Sequence, residues 1–599
     1  MERMTTNVRM MLYAVGVLTL LVPGSSFAGA SASQRLERLA REALERFYDL
    51  FPIAETMNRG AGPRQDRLEM TFTPEHLERQ RAHSRWVLQE LDAIPLGELQ
   101  LSEKLTHQLL AYLSRQGLEA LEYPFHQHAI FIHLDGGVAH DLIQLVGRQP
   151  FRSAADYRAW LARLQRYPAY LEGVTRLMRD GLAAQVTVPQ ALLARALPQL
   201  EALAPEAQDI TTSALWKLVT QFPVSMDMEA RQRFETEYRQ LLTEEVLPAF
   251  RQLATFVRTE YMPRARTSDG FGGLPQGDHM YRLAVQHQTT TDMTPDEIHQ
   301  LGLQEVKRVQ GKLLTAGEGI GFKGPVSALP RWLASHPEYY PFASGDQVIA
   351  YLSRLHAQIV PQLPQLFGRL PKAWLEIHLT DPALAASEPA RWYPPSDDGT
   401  QPGILAVPIM DPCKRSTFGL AALFAQEGMP GHHFDGSIKL ENKVPEFRRK
   451  LWVNAFGEGW ELYAEYLGHD LGLYDEPLAL MGRYAAELLR AGRLVVDTGL
   501  HAKGWTRAQA IRYMMEECGL MERFAATEVL RYMAWPGQAL GYKIGELTIL
   551  DIRARAEQQL GSRFDMRAFH DALLAEGHLP LSMLKTRMDA WIEEQNTRP

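Results

Sequence analysis

Gln426-Glu427-Gly428-Met429-Pro430-Gly431-His432-His433 is the stretch on which the reading of this chain turns. An apolar run, Phe418 to Phe424, leads into it. A carboxylate then precedes a Pro-Gly break, and two adjacent histidines follow. Further on, Glu458 sits between glycines in Gly457-Glu458-Gly459-Trp460. Histidines and carboxylates near the end of an apolar helix are the materials of a zinc hydrolase. Such a site needs three protein ligands, an open position for water and a carboxylate base beside it. The usual spacing puts His at i and i+4 with Glu at i+1, so that both imidazoles share a helix face. That spacing is absent: Gln426 stands where the first His would be, and Pro430-Gly431 interrupts the helix. The paired histidines fall six and seven positions after Gln426, so ideal helix angles do not choose between His432 and His433.

The rest of the chain sets the frame. It has 599 residues, 46% hydrophobic and 22% charged, an ordinary globular composition with ample material for a core. The formal charge is −8, and Lys and Arg are dispersed, which leaves nucleic-acid binding without an electrostatic footprint. Residues 1–28 read as a secretory signal. Arg3 and Arg9 form its basic region, Met10 to Val22 its apolar core, and small residues around Ala28 suit cleavage. No later stretch is apolar enough to span a bilayer, so the expected location is exported, periplasmic or secreted. Cys413 and Cys518 are the two cysteines. They allow one disulfide or two separate thiols, exclude a cysteine-based zinc site, and leave no lipid-attachment cysteine near the cleavage point.

Apolar spacing of three and four predicts helix after helix: 33–51, 74–92, 102–120, 154–182, 188–203, 228–258, 294–316, 447–467, 477–499, 540–560 and 581–594. Thr506-Arg507-Ala508-Gln509 is a capping box. Strand signal is confined to 129–132 and to 375–379 and 403–407, which would pair as a ribbon beside the motif. Residues 391–403 read as a long loop. There is no repeat, low-complexity tract or Gly/Ser linker. The expectation is therefore one large, mostly α domain over 31–599 with at most a small β-ribbon.

Other blocks accompany the motif. They are Phe51-Pro52, Thr289-Thr290-Thr291-Asp292, Tyr393-Pro394-Pro395 with Pro402-Gly403, Tyr463-Ala464-Glu465, Asp497-Thr498-Gly499-Leu500-His501 with Gly504-Trp505, and Arg531-Tyr532 with Pro536-Gly537-Gln538-Ala539 and Tyr542-Lys543. Together with Glu427 to His433 the chain resembles the bacterial family called domain of unknown function 885, whose pattern is H-E-x-x-P-G-H-H. That family resembles all-helical zinc metallopeptidases of the glutamate-zincin type. The resemblance implies a helical fold around a deep central cleft, zinc as cofactor and peptides as substrate. It implies Glu427 as general base, His432 or His433 as a zinc ligand, and Glu458 as the carboxylate ligand. The family's first histidine falls on Gln426, whose neutral amide oxygen is a weaker zinc donor than imidazole.

Arg531, Tyr532, Tyr542 and Lys543 are polar groups suited to stabilising an oxyanion. His501 lies four after Asp497, where a helix would let the acid orient the imidazole. Glu465 reads as an outer or surface carboxylate, Trp460 and Trp505 as packing, and His299, His570 and His578 as structural. Two rival functions accompany the hydrolase: a catalytically impaired relative that keeps a peptide-binding cleft, and a non-enzymatic helical envelope binding protein.

Overall fold

Helix starts in the computed structural model follow the capping residues. The hydroxyls of Ser31, Thr73, Thr294 and Thr506 each accept the amide hydrogen three residues on, and open helices Ala32–Leu50, Pro74–Asp92, Pro295–Glu318 and Arg507–Glu516. The structure describes residues 30–123, 137–204, 210–381, 385, 389–397 and 399–597. The leader at 1–28 and the apolar run at 129–132 lie outside these. The described chain is mostly helical and carries one three-stranded sheet. No helix among the described residues is long and apolar enough to cross a membrane.

The residues gather into two compact units that divide at 269–277. The join falls in a stretch rich in glycine and proline, with Gly270, Gly272, Gly273, Pro275 and Gly277, and α-helix resumes only at Gly277. The first unit buries Tyr48, Tyr157, Trp160, Tyr238 and Tyr261, together with a fully buried Arg163. Every bond that anchors this guanidinium comes from a neutral oxygen: the carbonyls of Arg67 and Arg64, the Thr56 hydroxyl and the Gln149 amide. Here the expected 154–182 helix is two, Ala154–Leu164 and Tyr167–Ala184. Pro168 has no amide hydrogen to continue the first and sits in the opening turn of the second.

The second unit carries the motif. Its principal helices are α1 (Pro295–Glu318), α2 (Leu420–Glu427), α3 (His432–Glu441), α4 (Asn454–Leu467), α5 (Pro477–Ala502), α6 (Glu522–Ala534) and α7 (Gly541–Leu560). The expected 447–467 helix is interrupted before Asn454, where the Leu451 carbonyl accepts from Lys439 Nζ instead of continuing a helical ladder. Two helix pairs approach backbone to backbone. A Cβ on Gly302 of α1 would lie 2.7 Å from Leu494 of α5, and a Cβ on Gly459 of α4 would lie 2.5 Å from the Cα of Gly545 on α7. Buried charge ties three of these helices: Lys543 Nζ donates to Glu487 at 2.6 Å and Glu546 at 2.5 Å and pairs with Glu305 at 3.0 Å.

Gly311 is the opposite case. It is an exposed helical glycine of α1 with nothing within 4 Å of a Cβ. Gly311→Ala is expected to stabilise the protein by about 0.5–1 kcal/mol, measured by chemical denaturation, because alanine narrows the unfolded ensemble and meets no clash.

The sheet has the order β1 (Leu375–Leu379), β3 (Gly403–Val407), β2 (Arg391–Tyr393), with β1 and β3 parallel and β2 antiparallel to β3. The ribbon expected from 375–379 and 403–407 is present. The region 391–403 is not all loop: its first three residues pair with Ile404 to Ala406. Cys413 is exposed and Cys518 buried, and both are free thiols.

Candidate metal centre

The motif folds as two helices joined at a bend. α2 ends at Glu427, and α3 starts at His432. Gly431 permits the join: a Cβ there would lie 1.9 Å from the Gln426 carbonyl oxygen. Trp460 on α4 clamps the bend by donating from Nε1 to the Pro430 carbonyl at 3.0 Å. The bend turns His432 towards α4, where Glu458, Glu461 and Glu465 recur at i, i+3 and i+7 and so share one face.

His432, Glu458 and Glu461 each present one ligand atom, and these atoms all lie within 4.8 Å of one another. Glu458 is 1% exposed and Glu461 is fully buried. None of their four carboxylate oxygens has a directed hydrogen bond among the described residues. The nearest cation is the His432 ring, with Nδ1 2.8 Å from Glu461 Oε1. Burial opposes protonation of His432, but the fields of Glu461, Glu427 and Glu458 outweigh it and raise the imidazole to about 9. Burial pushes Glu461 up to about 8, and Asp435 and Glu458 push the same way. Burying carboxylates without partners is expensive, and such groups are normally paired or bound to a metal. One imidazole and two buried carboxylates that share it as their nearest cation have the donor chemistry of a divalent-cation site, which His432, Glu458 and Glu461 would hold.

Glu427 is half-buried at the end of α2, and its charge acts on both His432 and Arg391. Trp392 of β2 lies parallel to the His432 ring, with centroids 6.3 Å apart. Glu465 is fully buried, not on the surface, with Arg490 Nη2 at 3.2 Å.

The other expected ligands are engaged elsewhere. His433 donates from Nε2 to the Ala373 carbonyl at 3.0 Å and accepts from Trp392 Nε1 at Nδ1, 3.3 Å. Both nitrogens are spent, and burial holds the ring neutral with its pKa lowered to about 4. Gln426 Oε1 accepts from the Arg490 guanidinium. A charge-assisted hydrogen bond of this kind stabilises by about 1.5–3 kcal/mol, which a metal would have to replace to recruit the oxygen.

The expected catalysts separate in the same way. His501 accepts from the Phe271 amide at Nδ1, 3.1 Å, and its Nε2 donates to the Tyr532 carbonyl at 3.0 Å. Asp497 does not orient it: its oxygens take the Tyr281 hydroxyl at 2.6 Å and the Gly537 amide at 3.0 Å. Tyr532 donates its hydroxyl to Glu528 at 2.7 Å, and Arg493 donates to that hydroxyl at 3.3 Å. Arg531 donates to Gln538 at 2.8 Å and to the Tyr542 hydroxyl at 2.9 Å. Tyr542 is thus the one expected phenol that accepts a bond while donating to no described group, and the Glu458 charge acts on it. His299, His570 and His578 make buried hydrogen bonds to Thr498, Tyr463 and Asp435.

Sequence reasoning missed Glu461 and Arg490. The signal for Glu461 was present: three acids at one helical spacing inside the apolar stretch 454–467. Arg490 carries no comparable mark, since its role depends on where α5 passes α2.

Two solved structures, each described as that of a "putative lipoprotein", are similar to this chain. The one from Colwellia psychrerythraea has a TM-score of 0.86 at 27% identity and covers 94% of this chain and 100% of its own. The one from Shewanella oneidensis has a TM-score of 0.72 at 19% identity over 94% and 100%, a likeness of fold alone. No curated protein matches the chain. The bacterial protein family of unknown function DUF885 matches residues 52–588, almost the whole of the described chain, and the chain belongs to that family.

Proposed function

We propose that this protein is an exported, divalent-metal-dependent hydrolase acting on peptides. The observation that carries the reading is the convergence of His432 with two buried carboxylates, Glu458 and Glu461, which among the described residues have the His432 ring as their nearest cation. The Lewis acidity of a bound divalent ion would polarise a scissile carbonyl and make water a stronger nucleophile near neutral pH. Glu427, beside His432, would accept the proton of the attacking water and return it to the leaving amine. Tyr542, held by Arg531, would donate its hydroxyl to the oxygen on which negative charge develops. Arg493, Glu528, Tyr532 and His501 form the frame that keeps Arg531 and Tyr542 in place. The leader-like residues 1–28 favour export, as does the description of the Colwellia structure as a lipoprotein.

Glu458→Gln tests the reading with a sign that a merely structural acid would not give. Removing the charge of Glu458, whose buried carboxylate crowds that of Glu461, is expected to raise the melting temperature of the metal-free protein. The same change should abolish the stabilisation that divalent ions give the parent and reduce cleavage of a peptide library by about 100-fold or more. A parent protein whose melting point ignores every divalent ion sinks the proposal.

One observation favours a second reading, a relative that binds peptides without turnover: Gln426 replaces the family's first histidine, and its oxygen is held by Arg490. Metal-dependent stabilisation with peptide binding, and no cleavage at any metal supply, would select it.

A further inference from the structure

The donor chemistry of this centre is unusual for zinc. The atoms within reach of one another come from one imidazole and two carboxylates. A third carboxylate, Glu427, bears on the same imidazole. A second imidazole is withheld twice over. His433 spends both ring nitrogens on Ala373 and Trp392. Gln426, next to Glu427 on α2, offers a single ligand-type atom, and that oxygen accepts from Arg490. Arg490 is not free to swing away, because it also pairs with the fully buried Glu465 at 3.2 Å. Imidazole-rich sets suit zinc, copper, iron and nickel, whereas carboxylate oxygens suit manganese, magnesium and calcium.

We propose that the His432–Glu458–Glu461 centre is built for a hard, oxygen-preferring divalent cation, Mn2+ foremost, and that the Gln426–Arg490 pair sets this preference by excluding a second strong zinc donor. The inference rests on the metal reading above and refines it. Mn2+ would take the two carboxylates as preferred donors beside the single imidazole. Zinc stands above manganese in intrinsic affinity for any given N/O site, so the preference appears as a compressed zinc-to-manganese ratio, not as an inversion.

The test is competition on the intact purified chain, with free Mn2+ followed by electron paramagnetic resonance as Zn2+ is added. The expected result is one Mn2+ per chain, displaced by zinc with an advantage of about tenfold or less. Gln426→His restores an imidazole and is expected to widen that advantage by about tenfold or more. Stoichiometric zinc with no manganese uptake overturns this inference and leaves the metal reading standing. Binding of neither ion overturns both. A folded Gln426→His protein with an unchanged ratio removes Gln426 as the determinant and overturns the proposal. If that variant does not fold, the parent competition decides alone, and a zinc advantage above about tenfold overturns the proposal.

Discussion

Gly545→Ala is expected to destabilise the protein by about 4 kcal/mol or more and to abolish the divalent-metal binding proposed above. A Cβ on Gly545 would lie 1.9 Å from the Ala455 carbonyl oxygen and 2.6 Å from the Gly459 Cα, so backbone meets it on both counts and no side chain can rotate away. Relief requires α4 and α7 to separate. The two carboxylates of the centre, Glu458 and Glu461, lie on α4 beside the blocked positions. A shift of one ångström there is as large as the tolerance of a metal site. Denaturant unfolding measures the first effect, and metal-dependent stabilisation of the folded variant measures the second. Gly311→Ala is the matched control, the same chemical change on an open helix face. A Gly545→Ala protein as stable as the parent would mean that the crossing is looser than described.

How much of this was legible in the sequence depends on the range of the interaction involved. Caps at Thr73, Thr294 and Thr506 act within one helical turn, so they are legible in the sequence and the helices begin there. The pairing of 375–379 with 403–407 was legible from two apolar runs, although their parallel sense was not. β2 escaped notice because Arg391-Trp392-Tyr393 is followed at once by Pro394-Pro395, and proline outweighs three strand-compatible residues in any local reading. At the site, His432 and Glu458 were legible as types. The different surroundings of the adjacent histidines were not, because those of His433 come from Ala373 and Trp392, each about 40 residues or more away in sequence. The reach of Arg490 to Gln426 spans 64 residues and has no local trace. Glu461 differs in kind: it was readable as the middle acid of a buried stripe on α4, since three carboxylates on one face of an apolar helix require a shared reason.

Arg493→Met, the second large effect, is expected to cost about 3–5 kcal/mol, because it leaves Glu528 charged and buried without its main partner. Arg493 donates to Glu528 Oε2 from Nη2 at 2.7 Å and from Nε at 3.1 Å, and both residues are buried. Burial alone would raise the Glu528 carboxyl, yet the charges of Arg493 and Arg531 reverse the sign and hold it down at about 2 against an ordinary 4.5. A carboxyl depressed by folding contributes stability above its unfolded value and loses it as pH falls through the folded value. The contribution here, roughly 3 kcal/mol, should therefore be intact above pH 4.5 and fade between 4.5 and about 2. Arg493→Met should flatten this acid limb and lower stability at neutral pH. The double change Arg493→Met with Glu528→Gln removes both charges while keeping an acceptor for the Tyr532 hydroxyl, and is expected to recover about half of the loss or more. The recovery separates a stranded charge from lost packing: a double variant as unstable as the single one would show that the long Arg493 side chain, stacked 4.5 Å from the Tyr542 ring centre, acts through its contacts and not through its charge.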